Sequence, residues 1–196
     1  MYSGETENYI HPSAIIDDNS ILGKGIKVWH FSHIMSNSII GDNTSIGQNV
    51  VVSPGVSLGT NVKIQNNVSV YTGVICENDV FIGPSVVFTN VINPRSAVNR
   101  KDQFKRTIIG KGATLGANST IVCGNNIGHY AFVGAGAVIT KEIPPYALVV
   151  GNPAKQIGWM SEYGHRLHFD INNEAICPET NEVYQLTEKN TVIKIR

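Results

Sequence analysis

One basic segment is the part of the chain best suited to recognising an anion. Residues 90–107 hold five of the fifteen Lys and Arg residues of an otherwise neutral protein, against a single acid, Asp102. Arg binds carboxylates and phosphates in bidentate fashion, and Lys binds phosphate as a point charge. The segment therefore predicts diphosphate or carboxylate recognition. The alternative is a solvated loop without a specific role.

Two columns of residues with a spacing of eighteen form a second set with binding chemistry. They comprise His30, Gln48 and Asn66 in one column, and Phe31, Asn49 and Asn67 in the next. Amide and imidazole groups donate and accept hydrogen bonds, so such a strip can bind sugar hydroxyls, acetamido groups or a base edge. Asn also tolerates the left-handed turn conformation, which leaves a purely structural alternative open.

Small residues dominate two later segments of the chain. Gly116, Ala117, Gly134 and Ala135 have little or no side chain, and we expect them to leave backbone N–H and C=O groups open to a long, thin ligand. Close packing of subunits is the alternative. A groove between subunits would satisfy both interpretations.

A six-residue repeat predicts the elements that position these residues. Every sixth residue from 10 to 88 suits an apolar interior, namely Ile10, Ile16, Leu22, Val28, Ile34, Ile40, Ile46, Val52, Leu58, Ile64, Val70, Cys76, Ile82 and Phe88. The repeat resumes out of phase from Ile109 to Ile139. A sandwich of short strands would need a period of two, so the pattern predicts an all-β fold, a parallel β-helix with three hexads per coil and six to seven coils. Residue n then lies beneath residue n+18.

The chain divides into a polar tail at 1–9, a domain of stacked coils at 10–155 and an extension at 156–196. Within the domain, the loop at 90–107 is extruded, and proline-containing segments after residue 140 end the coils. In the extension we expect a short helix near 158–166. Small strands are expected at 166–169, 174–176, 183–186 and 191–195.

The composition predicts a compact cytoplasmic protein. The chain has 196 residues, zero net charge, no signal peptide and no apolar run long enough to cross a bilayer, and neutrality gives no global attraction to nucleic acid. The two stretches of the repeat, at 10–89 and 108–140, are named the first and second ladder; Cys76 lies in the first and Cys123 in the second, where they are expected to be small apolar fillers. Cys177, with His165 and His168, lacks a second Cys pair, so we expect no metal site.

Several segments resemble the left-handed β-helix acyltransferases of the hexapeptide-repeat family: the repeat, the interrupting loop and the ending Ala147–Lys155. A narrower similarity is to the N-acetyltransferases that acetylate the 3-amino group of UDP-2-acetamido-3-amino-2,3-dideoxyglucuronic acid. It is carried by Val28–Phe31, Gly47–Val50, Lys63–Tyr71, Val87–Val91, Asn93–Arg95, Gly112–Asn118 and Gln156–Ser161. The resemblance implies a homotrimer, acetyl-CoA as co-substrate, active sites between subunits and a role in synthesis of a bacterial surface polysaccharide such as O-antigen.

The resemblance also implies a reaction in which a neutral amine attacks the thioester directly and an N–H donor stabilises the oxyanion. Asn90 matches an active-site asparagine of the resembling group, and we expect it to orient the amine or the thioester carbonyl. The absence of His between residues 88 and 118 favours N- over O-acetylation, because a deprotonated amine needs positioning more than a base. His33 is the reserve base.

The expected ligand contacts follow the two ladders. The sugar nucleotide enters from the first ladder, with expected contacts at His30, Gln48, Gln65, Asn66, Asn67 and Tyr71. Arg95 or Arg106 is expected to pair with the uronate carboxylate. Acetyl-CoA is expected to bind in the second ladder and beyond, at Gly116, Ala117, Gly134, Ala135, Lys141, Asn152 and Lys155.

Four alternatives remain open. In two of them the acceptor is different: a dTDP-3-amino-3,6-dideoxyhexose, or a small alcohol in an O-acetyltransferase. A zinc carbonic anhydrase of the same fold would need three converging His, and His30, His33 and His129 show no convincing ligand arrangement. A binding scaffold without catalysis would leave the basic interruption unexplained.

Overall fold

The structure, a computed structural model, describes residues 7–196 and consists of strands joined by turns. The part of the expected polar tail at 1–6 lies outside the described residues, and Tyr9 already belongs to the first strand. The strands of the coils are β1 (Tyr9–Ile10), β2 (Ile15–Ile16), β3 (Ile21–Leu22), β4 (Lys27–Val28), β5 (His33–Ile34), β6 (Ile39–Ile40), β7 (Ser45–Ile46), β8 (Val51–Val52), β9 (Ser57–Leu58), β10 (Lys63–Ile64), β11 (Ser69–Val70), β12 (Val74–Cys76), β13 (Phe81–Ile82), β14 (Val87–Phe88), β15 (Thr107–Ile109), β16 (Thr114–Leu115), β17 (Thr120–Ile121), β18 (Phe132–Val133), β19 (Val138–Ile139) and β20 (Ala147–Val150).

These strands stack into three parallel sheets, which form the three faces of a parallel β-helix. Face A contains β1, β4, β7, β10, β13, β16, β18 and β20; face B contains β2, β5, β8, β11, β14, β17 and β19; face C contains β3, β6, β9, β12 and β15. We name the corners between them the AB edge, the BC edge and the CA edge. The expected spacing of eighteen is confirmed, for example by the pairing of Ile10 with Val28.

The β-helix has eight coils, not six to seven, because eight parallel strands stack on face A. The coils do not end near residue 140: Val133 pairs with Val149 at a spacing of sixteen, so β20 adds one more coil. The spacing is thirty-three across the loop, where Cys76 pairs with Ile109. The extruded loop is therefore an insertion within one coil, and it ends one residue earlier than expected, because Thr107 belongs to β15.

The core follows the hexad register. Inward side chains such as Ile34, Leu58 and Ile82 are fully buried. In the second coil, polar residues in the small position of the hexad are hydrogen-bonded between coils: the buried Ser32 hydroxyl donates to Gly47 O at 2.6 Å and accepts from Val50 N–H at 3.0 Å. In the sixth coil, the buried Ser119 hydroxyl in the same column has no hydrogen-bond partner within residues 7–196.

The extension at 156–196 differs from the expected helix and strands. Its strands are β21 (Lys155–Trp159), β22 (Glu174–Ile176), β23 (Val183–Leu186) and β24 (Val192–Lys194). The short helix near 158–166 was a wrong prediction: β21 pairs antiparallel with β20 and covers the last edge of face A, which would otherwise leave backbone groups unpaired. Residues 166–169 form only an isolated bridge from Met160 to Arg166 rather than a strand.

The other three strands of the extension form a small antiparallel sheet in the order β22, β23, β24. This confirms the strands expected near 174–176, 183–186 and 191–195. The fully buried Tyr184 of β23 packs edge-on against Tyr146, with ring centroids 5.6 Å apart. The extension therefore closes the end of the β-helix. No helix long and apolar enough to cross a membrane occurs in residues 7–196.

Candidate active site

Asn90 lies on the BC edge of the fifth coil, where the chain leaves β14 for the extruded loop. Its backbone C=O accepts a hydrogen bond from Lys105 N–H at 2.9 Å, which closes the base of the loop. The preceding hydroxyl, Thr89 Oγ1, accepts from Cys123 N–H at 2.9 Å. Both bonds hold the backbone at this corner, so the half-buried Asn90 side chain is presented from a fixed position.

A shallow hollow on face B extends from the AB edge towards this corner. It has a volume of about 180 Å³ and is lined by residues that include Asn67, Ser69, Tyr71 and Val87. Tyr71 lies one coil below Thr89, because Ser69 pairs with Val87. The structure therefore places Tyr71 close to the Asn90 corner, as a shared substrate site requires.

The two expected anion-binding arginines lie at different ends of the loop. Arg106 follows Lys105 at the loop base, where Gly73, at φ +98°, leaves room for the Lys105 carbonyl: a Cβ there would lie 2.9 Å from that oxygen. Arg95 lies at a distal turn that is closed by an antiparallel bridge to Val98. Both arginines are exposed, but only Arg106 is anchored next to the Asn90 corner.

The lower AB edge brings four of the expected ligand residues together. His30, Gln48, Gln65 and Asn66 line one cavity of about 340 Å³, which spans the second to fourth coils. Asn66 also has a structural role, since its Oδ1 accepts a hydrogen bond from Gln48 N–H at 2.9 Å. The cavity supports a binding role for this polar column, and the hydrogen bond supports a structural role.

The neighbouring column is mainly structural. Asn49 and Asn67 adopt left-handed turns at φ 56° and 61°, and the Asn49 side-chain N–H donates to Asn67 Oδ1 at 3.2 Å. Phe31 has φ 57° in the same column and is largely exposed. A positive φ is disfavoured for a bulky residue and tolerated by Asn, so Phe31 is the unexpected member of this column.

An aromatic platform, not predicted from the sequence, forms one side of this cavity. The His30 ring stacks on His11 of the coil below at a centroid distance of 3.5 Å, and the Trp29 ring is within 7° of the His30 plane. Tyr9 packs against Trp29 with centroids 5.3 Å apart. The sequence signal for this cluster is the spacing of eighteen, which puts His11 one coil below Trp29, since Ile10 pairs with Val28.

The expected acetyl-CoA residues of the second ladder also lie on the AB edge, above the cavity. A Cβ on Gly116 would lie 2.5 Å from Ala135 N, so stacking of coils within one chain already requires this glycine. The expectation of open backbone groups is wrong in part, because Gly116 N–H donates to Val133 O and Gly134 N–H donates to Val149 O. Because these residues have no side chain or only a methyl group, they form a surface strip from which no long side chain projects. Ala117 belongs to this strip, and Ala135 within it is exposed.

The remaining expected acetyl-CoA residues divide between two edges. Asn152 and Lys155 lie at the end of the AB edge, where β21 begins. Lys141 instead lies on the BC edge, two residues after Ile139, which stacks through Ile121 over Phe88. Lys141 is therefore two coils above Asn90 in the same column.

His33 is remote from Asn90 within one chain. It projects from β5 on face B, and its Nε2 lies 2.9 Å from Asp17 Oδ1. Asn90 lies three coils higher, and strands stack about 4.8 Å apart, which separates them by roughly 14 Å along the axis. The structure thus does not bring the reserve base to the corner where Asn90 lies.

The strongest electrostatic perturbations lie outside this region. Burial raises the pKa of the Cys76 thiol to about 12, which suits an apolar filler rather than a nucleophile. In the extension, burial raises the pKa of Tyr146, whose hydroxyl donates to Glu162 at 3.0 Å. Within residues 7–196 no group of three or more His, Cys, Asp or Glu is arranged to hold a metal ion.

Comparison with known proteins shows which family has this architecture. Residues 38–72 and 106–141 match the model of the hexapeptide repeat of succinyl-transferase, and residues 19–54 match the bacterial transferase hexapeptide of six repeats. A curated dTDP-3-amino-3,6-dideoxy-α-D-galactopyranose 3-N-acetyltransferase of Aneurinibacillus thermoaerophilus is 50% identical over 177 residues, 90% of this chain and 91% of that protein. The chain belongs to the hexapeptide-repeat transferase family. In this transferase the six-residue repeat is interrupted where the loop that begins at Asn90 is inserted.

Solved structures share the fold of this transferase. A mutant of perosamine N-acetyltransferase from Caulobacter crescentus, in complex with CoA and GDP-perosamine, aligns with a TM-score of 0.50 and 27% identity. The alignment covers 77% of this chain but only 56% of that longer protein. A hexapeptide transferase family protein from Anaplasma phagocytophilum aligns with a TM-score of 0.56 and 23% identity, over 80% of this chain and 84% of that one.

Proposed function

We propose that this transferase moves the acetyl group of acetyl-CoA to the 3-amino group of a dTDP-3-amino-3,6-dideoxyhexose. The observation that supports this proposal is the 50% identity to the Aneurinibacillus enzyme along nine-tenths of both chains. A match of that length necessarily includes the extruded loop and the coils on both sides of it. The product would be a building block for a bacterial surface polysaccharide.

This acceptor replaces the UDP-linked uronate that the sequence favoured. A 6-deoxy sugar has a methyl group at C6, so it offers no carboxylate for Arg95 or Arg106. The basic residues of the loop are then better matched to the diphosphate of the nucleotide. Arg106 is the stronger candidate, because it lies beside Lys105 at the base of the loop.

In the proposed reaction, the neutral 3-amine forms a bond to the thioester carbonyl carbon, the C–S bond breaks, and the thiol of CoA leaves. The amine loses one proton to solvent or to the leaving thiolate. In this proposal Asn90 orients the amine or donates its side-chain N–H to the carbonyl oxygen as negative charge develops there. The hydrogen bonds of the Asn90 backbone and of Thr89 fix the position of the backbone from which that donor extends.

The upper AB edge suits the thin pantetheine arm of acetyl-CoA. A Cβ built on Gly136, at φ +70°, meets nothing within 4 Å, and Gly116, Ala117, Gly134 and Ala135 add little relief. Lys155 at the end of the edge can pair with a phosphate of CoA, together with the amide of Asn152. Lys141 on the BC edge offers a second cation above Asn90.

The arrangement favours active sites that lie between copies of this chain, in an oligomer that we propose is a homotrimer. The cavity on the lower AB edge opens towards face A through Ser45, whereas Asn90 lies on the opposite side of face B and higher along the axis. Outward isoleucines are also exposed in the first coils: Ile15 by 58%, Ile21 by 62% and Ile39 by 47%. A neighbouring copy that covers this apolar surface can bring its AB edge to the BC edge of the first.

The function is tested by thiol release from acetyl-CoA against a panel of acceptors. The panel contains dTDP-3-amino-3,6-dideoxygalactose, its 4-amino isomer, UDP-2-acetamido-3-amino-2,3-dideoxyglucuronate and simple alcohols. We expect the highest kcat/KM for the dTDP-linked 3-amino sugar. A preference for the uronate would restore the carboxylate role of Arg95, and turnover of alcohols alone would contradict amine transfer.

A further inference from the structure

The cavity on the lower AB edge has a shape that selects for a flat ring. Trp29, Gly47 and Gln65 occupy the same position in three successive coils, since Val28 pairs with Ile46 and Ile46 with Ile64. Strands stack about 4.8 Å apart, so Trp29 and Gln65 are about 10 Å apart along the axis. A ring in van der Waals contact on both sides needs about 7 Å. A Cβ on Gly47 would lie 2.7 Å from Asn66 Oδ1, so coil stacking requires this glycine, and between Trp29 and Gln65 it adds no side chain that projects into the cavity.

The floor of the slot is oriented for stacking. The His30 ring lies over His11 of the coil below, at 3.5 Å between centroids and 28° between planes, so its faces point along the axis of the β-helix. The Trp29 plane is within 7° of the His30 plane, which gives the indole the same orientation. One face of the His30 ring is covered by His11. Trp29 and His30 line the cavity together with Gly47 of the next coil.

The walls of the slot are uncharged hydrogen-bonding groups. Gln48, Gln65 and Asn66 line it with side-chain amides, each of which can both donate and accept. Thymine and uracil each present a ring N–H between two carbonyl oxygens, which such amides can bind. The lining is therefore better matched to a base than to a phosphate.

A charged surface begins where the cavity meets face A. Ser45 lines the cavity, and its strand pairs with Lys27 in the coil below and Lys63 in the coil above. Both lysines point outward on face A and are exposed. A diphosphate that leaves the slot over Ser45 would lie between two cations.

We propose that this slot binds the pyrimidine base of a nucleoside diphosphate on the Trp29 and His30 platform, with the diphosphate between Lys27 and Lys63. The proposal rests on the proposed function and extends it, because it assigns the nucleotide half of the substrate to a cavity far from Asn90 in the same chain. Trp29 and Lys63 become binding residues that the column analysis did not single out.

Tryptophan fluorescence gives a direct test with dTDP alone. The chain has two tryptophans; Trp29 is 40% exposed and Trp159 is 7% exposed. The Trp159→Phe variant therefore isolates the signal of Trp29. We expect saturable quenching by dTDP in this variant, and much weaker quenching by inorganic pyrophosphate. Equal binding of pyrophosphate and dTDP, or no quenching of Trp29, would overturn the base site.

Calorimetry with the full chain tests the two parts of the site separately. Trp29→Leu should weaken dTDP binding by about tenfold through loss of stacking. Lys63→Ala should weaken it by roughly fivefold through loss of one phosphate contact. The matched control is Lys24→Ala, an exposed lysine on the CA edge, which should bind dTDP as the wild type does. If Trp29→Leu binds dTDP with unchanged affinity while circular dichroism shows a normal fold, the platform has no role.

The two proposals can fail independently. Acetyl transfer to the dTDP-linked amino sugar without quenching of Trp29 would remove the slot and keep the enzyme. Quenching of Trp29 by dTDP without acetyl transfer to any acceptor would keep the nucleotide site and remove the proposed reaction.

Discussion

Asn90 combines an anchored backbone with a side chain at the lip of the loop, and both properties matter for catalysis. An N–H donor that is fixed before the reaction stabilises developing charge without reorganisation, and loss of one such donor lowers turnover by roughly 100-fold or more. We expect Asn90→Ala to lower kcat by about this factor with a much smaller change in KM. Steady-state kinetics with acetyl-CoA and the preferred acceptor measures both parameters.

The matched control for that variant is Asn99→Ala. Asn99 is an exposed asparagine of the same loop whose Oδ1 accepts only the local Lys101 N–H, at 3.1 Å. It should leave kcat within about twofold of the wild type, as expected of a surface substitution. Equal kinetics for both variants would remove Asn90 from the reaction.

Phe31 is held in a conformation that its own side chain disfavours. Its φ of 57° matches the asparagines of the same column, and the ring is 64% exposed. A non-glycine residue of this shape in the left-handed region costs on the order of 1 kcal/mol relative to Asn. Phe31→Asn should therefore raise the free energy of unfolding by about that amount, measured by urea denaturation.

The reciprocal change, Asn49→Phe, places the same ring at the same backbone position one coil higher. It should lower the free energy of unfolding by about 1 kcal/mol or more, because it also removes the hydrogen bond to Asn67. Strain that persists in a native protein often accompanies function. A stabilised Phe31→Asn variant with weaker dTDP binding would assign that function to Phe31.

At the scale of elements, the hexad predicts the coils because period and burial are linked directly. Each inward position from Ile34 to Phe88 is buried as its register requires. The extension was harder, because the segment after Lys155 has no such period. Its conformation is set by β20, whose unpaired edge accepts β21 as an antiparallel partner. The unpaired backbone groups of β20 therefore decide the conformation of this segment, whatever its own helix propensity. The sequence of the segment alone does not show that such a partner strand lies beside it.

The site, too, could be predicted only where its residues follow the spacing of the repeat. His30, Gln48 and Asn66 could be grouped from their spacing because stacking by eighteen follows from the repeat. The spacing gave no ring orientations, so the platform formed by Trp29 and His30 was missed. It also could not place Asn152 and Lys155 at the end of the AB edge, because the last coil changes the spacing to sixteen.

The small sheet of the extension is fastened to the β-helix by a network of ionisable groups. Lys194 Nζ lies 2.9 Å from Glu162 Oε2 and 3.0 Å from Glu182 Oε1, and these contacts raise the pKa of the Lys194 ammonium. Burial raises the pKa values of the Tyr146 and Tyr184 hydroxyls as well. The Lys194 contact, with help from Tyr184, lowers the pKa of Glu182.

These directions predict how stability depends on pH. A group with a raised pKa in the fold stabilises it fully below its unfolded pKa, about 10 for Tyr and Lys, and that contribution is lost as pH rises through the folded pKa. Glu182 acts oppositely, since its contribution is present above about pH 4.3 and is lost as pH falls through its lowered pKa. We therefore expect a plateau between about pH 5 and 10, and a steep loss of thermal stability above it.

Tyr184→Phe tests the alkaline limb. The variant loses the hydrogen bonds with Glu182 and with Glu162 N–H, which should cost about 1–3 kcal/mol at neutral pH. It should also show a shallower loss of melting temperature above pH 10, because one buried hydroxyl no longer titrates on unfolding. Tyr163→Phe, at an exposed ring, is the matched control and should follow the wild-type slope. A Tyr184→Phe slope equal to wild type would exclude this hydroxyl as a source of the pH dependence.

At the scale of the whole molecule, the separation between the nucleotide slot and Asn90 makes a prediction about assembly. The slot begins at the second coil and opens onto face A, whereas Asn90 lies on the fifth coil beyond face B. Three coils correspond to roughly 14 Å along the axis, and a whole face must be crossed as well. One substrate that reaches both would then have to contact two subunits.

Mixed oligomers decide whether the site is shared. Asn90→Ala and Trp29→Leu subunits, each weakly active alone, are co-expressed with different affinity tags, and hybrids that carry both tags are isolated and assayed at low dTDP-sugar concentration. If each site takes Asn90 from one subunit and Trp29 from its neighbour, every trimer that carries both tags has both native residues at one of its three sites. We therefore expect the hybrids to regain activity well above that of either parent, with a molecular mass of three chains by light scattering. If both residues act within one subunit, no mixture contains a native site and activity stays at the parental level.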